Sequence, residues 1–157
     1  MQFSFAYNKK KVLQALRYHF ISKQEIKVMI ILVNVFAIAS AALFYFKKIR
    51  PEPFFLGTFV WVMMMVSVWY ILPYIIYNKS TTFKEKFIIH FSEHNVTLEN
   101  ERGYVNWEWK TFSKYFESPH FFHLYFDSKS FFLVPKDAMT EENKHDVRAL
   151  LKNKIVQ

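Results

Sequence analysis

The sequence predicts a membrane α+β protein, in which a two-helix transmembrane hairpin precedes a small antiparallel β-domain closed by a C-terminal helix. Three observations carry this expectation. Two uncharged apolar runs, 28–46 and 53–77, are nineteen and twenty-five residues long, and about 20 such residues cross a bilayer. From residue 83 the apolar pattern changes to the alternation of strands. After Thr140 it returns to helical spacing, with Val147, Leu150, Leu151 and Ile155 on one stripe.

The composition narrows the function classes. The 157 residues are 52% hydrophobic and 20% aromatic, room for one small domain plus accessories. The chain has no cysteine, which excludes disulfides and thiolate metal sites. Its two glycines, Gly57 and Gly103, are too few and too far apart for a phosphate-cradling loop or a dinucleotide fingerprint. The net charge is +8, but it sits beside the apolar runs. Residues 1–27 hold six Lys/Arg against one Glu, whereas residues 78–157 hold twelve against eleven acids. A nearly neutral C-terminal half is a poor polyanion binder, so nucleic acid is not an expected partner.

Residues 1–27 read as an N-terminal strand and a basic amphipathic helix. Phe3, Phe5 and Tyr7 alternate as a strand does. Asn8 is a candidate N-cap, and Val12, Leu13, Leu16 and Phe20 then share one helical face. Such a helix before a membrane span lies along the lipid surface or packs on the C-terminal domain. A five-residue strand needs a sheet to join. The only sheet begins after residue 82, so residues 2–7 are expected to pair with one of its edges, the alternative being a frayed tail.

Residues 28–77 form the hairpin. Aromatics gather at its ends, with Phe44, Tyr45 and Phe46 before Lys47, and Trp69, Tyr70, Tyr74 and Tyr77 toward the exit. Pro53 suits the first turn of the second helix, and Pro73 kinks it near its exit or marks where it leaves the hydrocarbon. Lys/Arg counts favour a multi-pass protein of the inner cell membrane with both termini cytoplasmic, although the connecting loop KKIRPE also carries three. Inside the runs only Asn34, Ser40, Thr58 and Ser67 are polar, which speaks against a proton or substrate path. Ala37 and Ala41 allow close helix approach, within the hairpin or with a second copy.

Residues 78–157 form the β-domain. Its strands read as 83–91, 95–100, 104–109, a short piece at 115–117, and a hairpin of 120–127 with 130–134; Thr140 caps the final helix. Alternation sets Val105, Trp107 and Trp109 inward and Asn106, Glu108 and Lys110 outward. The segment 105–139 holds seven Phe and two Trp yet is studded with charges. In a domain of this size large rings are an efficient core filler, so structure is their first explanation.

The stretches FSEHNV, NWEWKTFSKYFES and FFHLYFDSKSFFLVPKDAM, with Leu133, Pro135 and Lys136 as the most distinctive part, resemble the YcxB-like family of small bacterial membrane proteins. The resemblance implies two transmembrane helices followed by a pleckstrin-homology (PH)-like domain, and it supplies no catalytic residues. The turn after the strand ending at Phe91 departs from the family pattern, reading SEHN without glycine.

No nucleophile elbow, HExxH or paired acids are present, so the chain is not expected to be an enzyme or to carry a cofactor. His90 and His94 straddle a turn beside Glu93, but nothing completes a metal site; His120 and His123 fall on opposite strand faces. Ser92 to Asn95, read as the first hairpin loop of the domain, holds no Lys or Arg, which argues against inositol phosphates. Lipid headgroups are expected at Lys9, Lys10, Lys11 and Arg17. A protein partner is expected at a sheet edge or at the loop of Pro135, Lys136 and Met139. The whole reads as a non-catalytic, membrane-anchored PH-like interaction module at the cytoplasmic surface. The alternative is an accessory subunit of a larger membrane transport or envelope-maintenance complex; homo-oligomers are compatible with either.

Overall fold

In a computed structural model, which describes residues 1–155, contacts divide the chain into two units. One combines Met1–Ala15 with the chain from Ser80 onward; the other is Leu16–Lys79.

The first unit is built on two antiparallel sheets. Strand β1 (Gln2–Ala6) opens a four-stranded sheet with β2 (Lys86–Phe91), β3 (Asn95–Asn100) and β4 (Gly103–Glu108), in the order β1-β2-β3-β4. Strands β5 (Lys114–Glu117), β6 (Phe121–Tyr125) and β7 (Phe131–Pro135) make a three-stranded sheet in sequence order. Helix α5 (Glu141–Lys154) follows; its N-cap Thr140 accepts a hydrogen bond from the Asn143 amide at 3.2 Å. The chain turns between β3 and β4 at Gly103, whose φ of +148° is a conformation side chains disfavour.

The expected pairing of the N-terminus is present. Gln2 to Ala6 run antiparallel to β2, with Phe3 opposite Ile89 and Phe5 opposite Phe87. The alternation decides which side faces in, since Phe3 and Phe5 are buried and their neighbours exposed. Phe5 meets Phe87 and Phe132, with ring centroids 6.0 and 6.5 Å away. Just past the strand, the Tyr7 hydroxyl donates to the Leu133 carbonyl at 2.7 Å, and burial raises its pKa well above the ordinary value. The aromatic segment supplies the core opposite: Trp109, Phe112, Phe122 and Phe132 join Phe87, Phe91, Val96 and Leu98 in one cluster.

Three sequence expectations change. The Ser92–Asn95 hairpin joins the second and third strands, because β1 takes first place. Trp109 lies in a 3-10 turn after β4, where its Nε1 donates to the Ser92 carbonyl, and Val105 is 49% exposed because β4 is an edge. Asn8 does cap helix α1 (Lys9–Ser22), accepting from the Lys10 amide at 3.0 Å. However, Val12, Ala15 and Leu16 along the helix stripe are at most 1% exposed, so the stripe is covered by protein rather than left for lipid.

The second unit is helical. Among the described residues, two helices are long and apolar enough, by length and composition, to cross a membrane: α2 (Gln24–Tyr45) and the continuous stretch Pro51–Lys79. Helix α2 ends in a Schellman closure. Lys47 takes φ 55°, Lys48 N–H donates to Leu43 and Lys47 N–H to Phe44. Phe44 then stacks on Phe54 across the turn at 4.5 Å. The second stretch consists of α3 (Pro51–Val66), a π-helical turn Ser67–Ile71 and α4 (Leu72–Lys79). The π-turn ends two residues before Pro73, as expected where a proline removes a helical donor. Asn34, Thr58 and Ser67 return their side-chain donors to carbonyls four residues back, so these polar groups are satisfied within their own helices.

Replacing Phe5 with Ala is expected to destabilise the detergent-solubilised protein by about 3–5 kcal/mol in denaturant unfolding, as for other buried Phe truncations. Alternate amides of Gln2–Ala6 should exchange slowly; exchange at free-peptide rates would contradict the β1–β2 ladder.

Candidate functional site

The densest charged group of the β-unit centres on Glu117, on β5. Arg148 of α5 grips it in fork geometry, Nε to Oε2 at 2.8 Å and a terminal nitrogen to Oε1 at 2.7 Å. Lys136, in the 3-10 turn after β7, donates to Glu117 Oε1 at 2.7 Å and to the Ser118 carbonyl at 2.9 Å. Its ammonium also lies 5.4 Å from the Phe122 ring. These contacts hold the Glu117 carboxyl at a pKa of about 2, with the Arg148 hydrogen bond the largest cause. One carboxylate thereby fastens a strand, a loop and the closing helix.

This arrangement gives the LVPK segment a structural role. Leu133 and Pro135 are buried, Pro135 pairs with Phe121, and Met139 is 6% exposed. With the Lys136 side chain only 13% exposed, the three residues expected to meet a partner are turned to the domain's own packing. The outward side chain of this loop is Asp137, which binds Lys11.

Beside Glu117 lies a pair that sequence reasoning missed. Ser118 Oγ and His123 Nε2 are 2.9 Å apart, and both residues are buried. A Ser–His pair invites a nucleophilic reading. Here both carboxylate oxygens of neighbouring Glu117 are committed to Arg148 and Lys136, and Ser118 Oγ also donates to the Phe121 carbonyl. No sequence motif announces the pair, because its members are placed by the β5–β6 turn.

The remaining candidates disperse. Glu108 is exposed, as alternation predicts, and binds Lys110 at 2.7 Å. His90 and His94 are exposed, and among the described residues no group of three His, Cys, Asp or Glu could hold a metal. Lys9 and Lys10 are exposed at the start of α1. Arg17 is committed within the helical unit. Its Nε donates to the Trp69 carbonyl at 2.9 Å, and its guanidinium lies 5.7 and 5.3 Å from the Trp69 and Tyr70 rings. The reason is Pro73: it has no N–H to give the carbonyl four residues back, and that carbonyl is Trp69. Arg17 supplies the missing donor.

The geometry thus defines an α+β chain with two long apolar helices and a β-unit, assembled from both ends of the chain, that is locked by Glu117. Residues 91–151, which include Glu117, Lys136 and Arg148, match the family model described as YcxB-like protein, so the resemblance read from FSEHNV to the LVPK segment holds over that span. Comparison with the curated proteins and with the solved structures gives no match.

Two outcomes are expected from this geometry. The Glu117 pKa is lowered on folding, so its stabilising contribution is complete above the ordinary value of 4.5 and is lost as pH falls toward about 2. The unfolding midpoint of the parent protein should therefore drop more steeply across that window than that of Glu117→Gln. Replacing Arg17 with Ala should cost about 1–3 kcal/mol by orphaning the Trp69 carbonyl. In a Pro73→Ala background the cost should shrink, because the new N–H reaches that carbonyl; equal costs in both backgrounds, measured as a double-mutant cycle, would refute the link.

Proposed function

We propose that the protein is a non-catalytic interaction module with a PH-like domain, held at the cytoplasmic face of the cell membrane by a transmembrane hairpin. One observation carries the reading. Among the described residues, seven strands run in groups of four and three with a helix after the last, and the two apolar helices are spliced into the chain between β1 and β2. Because β1 and β2 share a ladder, residues 6 and 86 lie together. Any crossing made between them must therefore be even in number, which two spanning helices satisfy. Lys/Arg counts favour the cytoplasm for that shared side.

The chemistry of the β-unit supports binding over turnover. Glu117 and Glu108 are committed to ion pairs, and the Ser118–His123 pair is enclosed. The β4 edge, where Tyr104 is 76% and Val105 49% exposed, is suited to a protein partner that adds a strand. Membrane lipids are the second partner class, met through exposed basic residues such as Lys9 and Lys10.

The chain lacks cysteine, so single cysteines report topology cleanly. Ile49→Cys, in the loop between the apolar helices, should react with an impermeant maleimide on intact cells, and Ser80→Cys only after permeabilisation. The reverse pattern would invert the topology, and identical labelling of both would refute spanning. A stoichiometric partner in gentle-detergent pulldown would move the reading to an accessory subunit of a larger complex.

A further inference from the structure

We infer that Lys84, Lys86 and Arg102 form a binding site for the phosphodiester of an anionic lipid headgroup. The inference rests on the membrane-anchored reading and adds a specific headgroup site to the exposed cations Lys9 and Lys10.

The site lies where the chain enters the β-unit. Lys84, Glu85, Lys86, Asn100, Glu101 and Arg102 line a pocket of about 280 Å³ between the start of β2 and the β3–β4 turn. Its floor is organised by Glu85. One carboxylate oxygen accepts from Asn100 Nδ2 at 2.7 Å, and the other lies 3.2 Å from a terminal nitrogen of Arg102. Asn100 Oδ1 in turn accepts from the Arg102 amide at 3.0 Å. The turn that presents Arg102 is thus tied to the segment that presents the lysines. A guanidinium carries five N–H donors, so the contact with Glu85 leaves most of them for a ligand.

Charge and reach identify the ligand. Lys84 and Lys86 are exposed, and the Arg102 side chain is 76% exposed. Three cations against Glu85 and Glu101 leave one positive charge, matched to the single negative charge of a phosphodiester. By contrast, two of the N-terminal cations expected at lipid are committed, Lys11 to Asp137 and Arg17 to Trp69. Lys84 follows Lys79, the end of the apolar stretch, by five residues. Five residues span at most about 18 Å, so the site is tethered near the headgroups, where each Lys or Arg contributes about 1 kcal/mol of attraction.

The test titrates the full-length protein in neutral detergent with dihexanoyl phosphatidylglycerol, dihexanoyl phosphatidylcholine and inorganic phosphate, followed by backbone amide shifts. Phosphatidylglycerol should shift Lys84, Lys86, Asn100 and Arg102 at concentrations where the other two do not. The Lys84→Gln/Lys86→Gln protein should bind about tenfold more weakly or worse. Glu85→Ala discriminates further. It makes the protein more positive, so diffuse attraction would strengthen, whereas a built site loses its anchor and weakens. Phosphatidylcholine acting equally, inorganic phosphate acting equally, undiminished binding by the double variant or tighter binding by Glu85→Ala would each overturn the site. Cysteine labelling reads membrane spanning separately, so a negative titration beside normal labelling fails the site alone.

Discussion

Five residues at the start of the chain cannot hold a strand in water, and the strand next to them in the sheet begins some eighty residues later. The antiparallel ladder between Gln2–Ala6 and Lys86–Phe91 is the constraint on which the rest depends. It satisfies one side of β2, places Phe3 and Phe5 in the aromatic core and positions Tyr7 to reach β7. Because everything between Tyr7 and Lys86 leaves and returns at one end of this ladder, the apolar helices are an insertion within a sheet rather than a leader in front of a domain.

A similar logic of one group closing another's deficit recurs in the helical unit. Pro73 removes a donor, the helix widens into a π-turn, and Arg17 satisfies the Trp69 carbonyl. In the β-unit a single carboxylate, Glu117, receives two cations from elements 19 and 31 residues away. Both arrangements use charge-assisted hydrogen bonds to fasten segments that lie far apart in the sequence.

The sequence made the elements legible because their periodicities are strong. Asn95 to Asn100 is a strand with the expected bounds, Thr140 is the cap it was read to be, and alternation at Phe3, Phe5 and Tyr7 marked β1. The site was less legible, for physical reasons. The lysine of the LVPK segment reads as a surface charge until Glu117 and Arg148 are brought to it by the β5–β6 hairpin and α5, and no local pattern encodes that meeting. Val105 and Trp109 departed from simple alternation because an edge strand loses its cover and the chain turns at its end. The α1 stripe reads first as lipid-facing, with packing on protein as the alternative, since hydrophobic spacing alone does not say which apolar medium covers it.

The insertion also sets an order of events during synthesis. Strand β1 leaves the ribosome long before β2 exists, and at 5–20 residues per second the wait is on the order of ten seconds. Throughout that interval Phe3, Phe5 and Tyr7 have no sheet to enter, and the core cannot close. Only when the second apolar helix has been made, and the chain has come back to where β1 waits, does the barrier to assembly fall. Until β1 pairs with β2, Phe3 and Phe5 stay outside the core and the β2 edge stays open, so closure of the β-unit depends on a later-made part of the chain reaching the first.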